Sequence, residues 1–243
     1  MPVVFVHGVP ETPVIWDPLI EALGIEDPVR LRLPGFGSPL PAGFDATMDT
    51  YAAWLHDELA AVDGPIDLIS HDWGALLATR VNSRFPTLVR SWVTDMGNLD
   101  ADFEWHDTAR TWQTPGDGEA FMEGITALSA GERAELLAGL GIEPTIAARL
   151  SPEVDATMGD AILSLYRSAT GIGVEWGPGI DDIIVPTLAI DARLDPFRSP
   201  AAAGAFAART GAIAAPLDDA GHWWMTTHPE AAAAAITAFW SSR

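Results

Sequence analysis

Apolar and polar positions alternate in a way that divides the chain into three stretches. From Pro2 to Met96, short apolar runs rich in β-branched residues are separated by longer stretches of helical character. We predict strands at residues 3–6, 29–33, 66–69 and 91–94, and helices at 48–62 and 74–85. This alternation favours an α/β fold, in which helices pack on a parallel sheet.

Strand signals are absent from the middle stretch, between residues 97 and 178. Helix starts are clear there, as at Ser129, which has Glu132 three residues later. Strand character returns at residues 183–190 and 212–217, and each run is followed by a helix. The pattern predicts a main domain of residues 1–97 and 179–243, interrupted by an all-helical cap of residues 98–178. Insertions of this kind commonly cover an active site at the strand ends.

The amino-acid composition mainly excludes certain kinds of chemistry and certain binding partners. The 243 residues include no cysteine, which rules out disulfides and thiolate chemistry. The chain has 34 acidic and 13 basic residues, and all 13 basic residues are arginine. Its formal net charge is therefore −21. Such a surface repels nucleic acid and anionic membranes, and it fits either a halophilic protein or a coding bias toward arginine and alanine. Because no leader or membrane-spanning pattern is evident, we expect a soluble, cytoplasmic protein.

Two predicted strands end in polar corners that carry glycine, "HGVPE" from residue 7 and "SHDWGA" from residue 70. The second fits an elbow with the pattern small-x-nucleophile-x-small, in which a strand turns sharply into a helix and exposes the central side chain. Ser70 and Gly74 are the small residues when Asp72 is central, whereas centring on Ser70 would require Leu68 to be small. Asp72 is therefore the candidate nucleophile. The alternative interpretation is an aspartate that caps the helix.

Two more candidates follow the last two predicted strands. Asp195 follows the strand at 183–190, and His222 follows the strand at 212–217. Together with Asp72 they give the order nucleophile, acid, histidine, which is typical of α/β hydrolases. A lone histidine is more often structural than catalytic, but three matched residues at three strand ends favour a catalytic triad.

These motifs resemble the epoxide hydrolase and haloalkane dehalogenase branch of the α/β hydrolases, and the resemblance covers nearly the whole chain. "HGVPE" is similar to its HGxP oxyanion loop, "SHDWGA" to its nucleophile elbow, "RLDPF" to its acid loop and "AGHWWMTTHPE" to its histidine loop. The resemblance implies that Asp72 is the nucleophile, His222 the base and Asp195 the residue that orients the base. It also implies an oxyanion hole formed by the backbone N–H groups of Val9 and Trp73.

The leaving group separates the two activities of this branch. Epoxide hydrolases of the family protonate the epoxide oxygen with two cap tyrosines, and Tyr166 in "ILSLYRSATG" resembles the second of them. The alternative interpretation is one more packing position on a cap helix. The position expected for the first tyrosine, seven before Pro115, is Thr108. Either Trp105, His106 or Trp112 replaces the missing tyrosine, or these three residues belong to the core.

The halide alternative has weaker support. Many dehalogenases have Asn or Glu as the variable residue of HGxP, and Val9 cannot hold a halide. Trp73 occurs in both groups and separates them little. We therefore expect an epoxide hydrolase acting on a small, uncharged, apolar epoxide and water, with haloalkane dehalogenation as the alternative. A third hypothesis, of another class, is a receptor or carrier that binds a small molecule without turnover. No cofactor or metal is implied, and the oligomeric state stays open.

Relatives in this branch usually carry two more strands ahead of the HGxP strand, whereas here only Met1 and Pro2 precede it. The resemblance therefore predicts a mostly parallel sheet shortened to about six strands, with residues 29–33 at its edge. Arg30 and Arg32 alternate there with apolar residues, and charged side chains protect an edge strand from unwanted pairing.

Overall fold

The structure, a computed structural model, describes residues 1–95, 99–197 and 199–243. Its described strands form one six-stranded sheet in the order β2-β1-β3-β4-β5-β6. The strands are β1 (Val3–Val6), β2 (Val29–Leu31), β3 (Asp67–Ser70), β4 (Ser91–Thr94), β5 (Thr187–Ala192) and β6 (Ile213–Leu217). Every neighbouring pair is parallel. The predicted α/β hydrolase fold with a parallel sheet of about six strands is confirmed.

The edge position of β2 is also confirmed, since its pairing within the sheet is with β1, where Val29 faces Val4. The strand is shorter than predicted and ends at Leu31. Two residues later, the N–H of Leu33 donates to the Nε2 atom of His7 at 3.2 Å, and the carbonyl of Leu33 accepts from Phe36. A side chain and a turn thus take over the hydrogen bonds that a longer strand would have made.

Six of the helices accompany these strands in the two stretches before and after the predicted cap. They are α1 (Asp17–Leu23), α2 (Met48–Ala60), α3 (Trp73–Arg84), α10 (Pro200–Thr210), α11 (Trp224–Thr227) and α12 (Pro229–Ser241). Strands β1, β3 and β4 are buried on both faces, as expected of parallel strands covered by helices.

The described residues between β4 and β5 form helices and contain no strand. They comprise α4 (Asp107–Gln113), α5 (Asp117–Ala127), α6 (Ala130–Leu140), α7 (Pro144–Leu150), α8 (Ala156–Ser168) and α9 (Ile172–Trp176). The predicted helix start at Ser129 is present as a capping box, in which Ser129 and Glu132 each accept the backbone N–H of the other. The predicted boundary between residues 97 and 98 lies outside the described residues. The division into main and cap domains stays a prediction.

Strand β5 begins four residues later than predicted, so the interpretation of residues 183–186 as strand is wrong. A short 3-10 helix, Gly177–Asp182, leads into this segment. Pro186 has no N–H to give to a ladder, and pairing with β4 starts at Thr187, opposite Trp92. Ile183 and Val185 are apolar because they are buried in the core.

No helix among the described residues is both long and apolar enough to cross a membrane. Since all six strands run in one direction, their carboxyl ends lie along the same edge of the sheet. Each of the polar corners singled out in the sequence follows one of these ends.

Candidate active site

The turn between β3 and α3 gives Asp72 an unusual backbone conformation, with φ 50° and ψ −120°. Non-glycine residues rarely adopt a positive φ, and such strain tends to occur at functional sites. The neighbours must be small: a Cβ added to Gly74 would lie 2.4 Å from the carbonyl oxygen of Val6, and one added to Gly8 would lie 2.4 Å from the Cβ of Asp72. The sequence folds into an elbow here because glycine stands at both close approaches.

Backbone N–H groups hold the carboxylate of Asp72. Val9 donates its N–H to Oδ1 at 2.8 Å, and the N–H of Trp73 also bonds the carboxylate. Although Asp72 precedes α3, its side chain makes no helix-capping hydrogen bond. Burial raises the pKa of Asp72 above its ordinary value, while the charges of His222 and His71 oppose that shift.

His222 lies between the two aspartates of the predicted triad. Its Nδ1 atom is 2.9 Å from Oδ2 of Asp195, and its Nε2 atom is 3.9 Å from Oδ2 of Asp72. Burial and the charge of His71 lower the pKa of His222, but the hydrogen bond and charge of Asp195 and the charge of Asp72 raise it more, so that it ends above its ordinary value. Asp195 shows the reverse balance: burial raises its pKa, and the contact with His222 outweighs this and lowers it.

Aromatic side chains form a cage beside Asp72, with Tyr166 of α8 at its centre. The ring centroid of Tyr166 lies 4.8 Å from that of Trp112, 5.0 Å from Trp105, 5.3 Å from Trp73 and 6.5 Å from His106. The predicted cap residues therefore do meet around the predicted tyrosine. Burial, and then the charge of Asp72, raise the pKa of Tyr166 well above its ordinary value, so the phenol keeps its proton at neutral pH.

Some hydrogen-bond donors of this cage have an acceptor and others do not. The indole N–H of Trp105 donates to the carbonyl of Ala169 at 2.9 Å. The indole N–H of Trp112 is buried and has no hydrogen-bond partner within the described residues, whereas the indole of Trp73 makes a side-chain hydrogen bond to the phenol of Tyr166. Thr108 lies half-buried in the first turn of α4 and, having no ring, adds nothing to the cage.

His106 caps the N-terminus of helix α4, and its capping hydrogen bond determines which ring nitrogen carries the proton. Its Nδ1 atom accepts the N–H of Ala109 at 3.3 Å, which leaves the proton of a neutral ring on Nε2. Burial, and to a lesser degree the charge of His222, lower the pKa of His106. The ring of Phe197 lies 4.6 Å from His106 and 5.0 Å from His222, so this phenylalanine connects the start of α4 with His222.

Three buried polar residues that the sequence analysis did not assign lie directly behind the triad. Glu11 and His71 are fully buried, and Asp95 follows β4 at the same edge of the sheet. Glu11 and His71 stand within the two glycine-bearing corners, so their place in the motifs was the available signal. Glu11, His71 and His222 offer ligand atoms within 4.8 Å of one another, a set that could hold a metal ion.

Comparison with known proteins adds a family and a set of structural relatives. A model described as "Alpha/beta hydrolase family" matches residues 3–235. A curated relative, (E)-2-((N-methylformamido)methylene)succinate hydrolase from Acinetobacter baylyi, is 30% identical over 91 residues. That match covers 37% of this chain and only 35% of the relative.

Solved structures of both expected activities share the fold. A laboratory-evolved variant of potato epoxide hydrolase superposes with a TM-score of 0.81 at 17% identity, covering 100% of this chain and 93% of that one. A loop variant of a haloalkane dehalogenase from Bradyrhizobium elkanii gives a TM-score of 0.75 at 22% identity, with 99% and 90% covered. At these identities the likeness concerns the fold and does not separate the two activities.

Proposed function

This chain belongs to the alpha/beta hydrolase family, and we propose that it hydrolyses an uncharged, apolar epoxide to a diol, with the carboxylate of Asp72 as nucleophile. The observation that carries this proposal is the environment of that carboxylate. Its Oδ1 accepts the N–H of Val9, and its Oδ2 faces Nε2 of His222 at 3.9 Å. A carboxylate suits this chemistry because its attack on carbon leaves an ester that water can cleave, whereas a serine would leave a stable ether.

In the first step, Oδ2 of Asp72 attacks one carbon of the epoxide. A new C–O ester bond forms, the ring C–O bond breaks, and its electron pair goes to the ring oxygen. Tyr166 is the proton donor for that oxygen, since its ring packs against Trp73, the residue next to the nucleophile, and its phenol is protonated at neutral pH. The phenolate regains a proton when the second step is complete.

In the second step, His222 takes a proton from water, and the resulting hydroxide attacks the carbonyl carbon of the Asp72 ester. Asp195 holds the proton on Nδ1, so Nε2 is free to act as base. The N–H groups of Val9 and Trp73 stabilise the oxyanion that forms on Oδ1, an effect worth about 3 kcal/mol per donor. Collapse of this intermediate breaks the bond between the acyl carbon and the substrate oxygen. Of the two protons of the water, one goes to this leaving oxygen and the other to the Tyr166 phenolate, so the diol is released and His222, the carboxylate and the phenol are restored.

Haloalkane dehalogenation is the second candidate, and it has one specific observation in its favour. The buried indole N–H of Trp112 lacks a partner within the described residues, and the rings of Trp112 and Trp73 both contact Tyr166. The two indole N–H groups could hold a departing halide. Tyr166 favours the epoxide, because an alkoxide needs a proton and a halide does not. The cytoplasmic location and the separate cap domain also remain proposals.

The test is to trap the ester. In a His222→Gln variant the first step should proceed and the second should be slow, so a covalent adduct should accumulate on the peptide that contains Asp72. If the protein is an epoxide hydrolase, styrene oxide should add its whole mass to this peptide. If it is a dehalogenase, 1-bromobutane should add its mass without the halogen. Peptide mass spectrometry reads both outcomes. His56→Gln changes a half-buried histidine of α2, outside the site, and should show no accumulation.

Tyrosine and nucleophile variants separate the remaining interpretations. In a His222→Gln background, Tyr166→Phe should slow adduct formation from styrene oxide by about 100-fold or more and should affect a bromoalkane far less. If neither epoxides nor haloalkanes modify the peptide that contains Asp72, while a ligand binds wild type and Asp72→Ala equally well, the receptor hypothesis would replace both enzymatic hypotheses.

A further inference from the structure

His7 follows β1 in the first glycine-bearing corner, where it is fully buried, and no step of the proposed mechanism uses it. Both of its ring nitrogens have backbone partners. Nδ1 lies 2.9 Å from the carbonyl oxygen of Gly8, and Nε2 lies 3.2 Å from the backbone nitrogen of Leu33. The ring also packs against Phe36, with 5.8 Å between the two centroids. These contacts hold the imidazole in one orientation.

The two backbone partners determine the protonation state of His7. A carbonyl oxygen can only accept a hydrogen bond, so Nδ1 must carry a proton, and a backbone N–H can only donate, so Nε2 must offer its lone pair. The ring is therefore neutral, with its proton on Nδ1. Burial favours the same form, because it lowers the pKa of His7 to about 4 although the hydrogen bond to Gly8 opposes this shift.

The carbonyl that His7 holds belongs to the same peptide unit as the N–H of Val9. The bond between Gly8 and Val9 is trans, and the C=O and N–H of a planar trans peptide point in opposite directions. By fixing the carbonyl of Gly8, His7 therefore also fixes the direction of the Val9 N–H, which donates to Oδ1 of Asp72 at 2.8 Å. Rotation of this peptide plane would break both hydrogen bonds at once.

Three hydrogen bonds form a chain in which every donor points the same way. The N–H of Leu33 donates to His7, and His7 donates to the carbonyl of Gly8. Across that peptide, the N–H of Val9 donates to Asp72. Hydrogen bonds connected in this way polarise one another, so donation to the carbonyl makes the N–H of the same peptide a stronger donor.

We propose that His7 is a positioning residue, which orients and polarises the Gly8–Val9 peptide so that the Val9 N–H stabilises the oxyanion during hydrolysis of the Asp72 ester. This catalytic role rests on the proposed function, since the oxyanion forms only if such an ester is hydrolysed. The orientation of the peptide does not, because it is a property of the free protein. The role is also specific to one step: attack by Asp72 disperses the negative charge of its carboxylate, whereas hydrolysis creates negative charge on Oδ1.

Two conservative variants separate the two hydrogen bonds of His7. In His7→Asn, the side-chain amide can occupy the place of Nδ1 and still donate to Gly8, whereas the bond from Leu33 is lost. In His7→Gln, the amide oxygen can occupy the place of Nε2 and still accept from Leu33, whereas the bond to Gly8 is lost. Each variant breaks one buried hydrogen bond, so a merely structural role of His7 would affect both alike.

Single-turnover reactions with styrene oxide, stopped at intervals and followed by peptide mass spectrometry, measure formation and loss of the ester on Asp72. His7→Gln should slow ester hydrolysis by about 10-fold or more, because a misdirected donor loses much of its effect on the oxyanion. Ester formation in this variant should change by less than about 3-fold, since the donor is not needed for that step. His7→Asn should hydrolyse the ester at a rate within about 3-fold of wild type.

NMR of the free protein provides a measurement that needs no substrate. With ¹⁵N-labelled histidine, wild-type His7 should have a protonated Nδ1 and an unprotonated Nε2 from about pH 6 to pH 9. The amide proton of Val9 should resonate at low field because it is bonded to a carboxylate. This shift should persist in His7→Asn and decrease in His7→Gln.

A proton on Nε2 of wild-type His7 would overturn the proposal, as would equal slowing of ester hydrolysis in the two variants or equal slowing of both steps in His7→Gln. If a variant does not fold, the protonated nitrogen of wild-type His7 decides: Nδ1 supports the proposal and Nε2 refutes it. If the Val9 shift behaves as expected but no ester is ever trapped, the positioning of the peptide stands and the proposed function falls. If an ester is trapped and both variants hydrolyse it equally fast, the proposed function stands and the role of His7 falls.

Discussion

The charge of His222 depends on the state of the carboxylate it faces. In the free protein the negative charge of Asp72 is one of the causes that raise the pKa of His222. In the proposed mechanism, formation of the ester converts that carboxylate to a neutral group, so this contribution disappears. The pKa of His222 should then fall, which makes the residue a free base at the step where a base is required.

This change predicts two different pH dependences in one protein. The midpoint of the His222 titration in the free protein, measured by NMR, should lie above the midpoint of the acid limb of ester hydrolysis, measured in single-turnover experiments. We expect a difference of about one pH unit, the usual size of a nearby charge effect. Equal midpoints would contradict the idea that Asp72 controls the protonation of its own base.

The sequence was enough to locate the residues of the proposed triad but not the buried residues that lie next to them. Asp72, Asp195 and His222 each follow a predicted strand, and parallel strands bring such positions to one edge whatever the details of packing. Glu11, His71 and Asp95 come from three separate segments, and the contacts of His71 with the two carboxylates depend on how deeply each side chain is buried. Periodicity gives no measure of that depth, so these contacts could not be predicted.

At the scale of elements, the elbow depends on close contact between the start of α3 and the end of β1. A Cβ on Gly74 would lie 2.4 Å from the carbonyl oxygen of Val6 and 2.6 Å from that of His7, both of them backbone atoms that cannot move aside. Glycine at this position is therefore a packing requirement, even though Gly74 lies in a helix.

Gly74→Ala should destabilise the protein by about 2 kcal/mol or more, because helix and strand must separate to admit the methyl group. Gly139→Ala is the matched control: Gly139 is also helical, an added Cβ meets nothing within 4 Å, and we expect a gain of up to about 1 kcal/mol. Urea unfolding of both variants measures the difference. Equal effects at the two positions would show that the close contact has no energetic weight.

Element boundaries show where pattern alone was insufficient. Hydrophobic runs located all six described strands, but the run at 183–190 continues through Pro186 although the ladder cannot. The run at 29–33 includes Leu33, whose N–H is taken by the side chain of His7. A single N–H group decides the strand boundary in both places: it is missing at Pro186, where β5 starts, and at Leu33, beyond the end of β2, it donates to a side chain. A prediction that averages hydrophobicity over a window of residues does not detect such single groups.

At the scale of the whole molecule, the excess of acidic groups opposes folding. Thirty-four acidic residues face thirteen arginines, so even if every arginine found a partner most carboxylates would repel one another. Some arginines do form surface pairs, as Arg30 and Arg149 both do with Asp17 at 2.7 Å. Exposed pairs contribute about 0–1 kcal/mol each. Repulsion summed over a net charge of −21 should therefore outweigh them.

Salt should accordingly stabilise this protein at neutral pH. Raising NaCl from about 10 mM to about 1 M shortens the screening length from roughly 30 Å to roughly 3 Å, which weakens long-range repulsion more than contact pairs. We expect the midpoint of thermal unfolding at pH 7.5 to rise by about 3 °C or more, which corresponds to about 1 kcal/mol for a chain of this size. Repeating the measurement near pH 4.5 is the control, because partly protonated carboxylates carry less charge and the effect should shrink. A midpoint that falls with salt at pH 7.5 would mean that the arginine pairs dominate, and an equal rise at both pH values would mean that salt acts on apolar burial instead of charge.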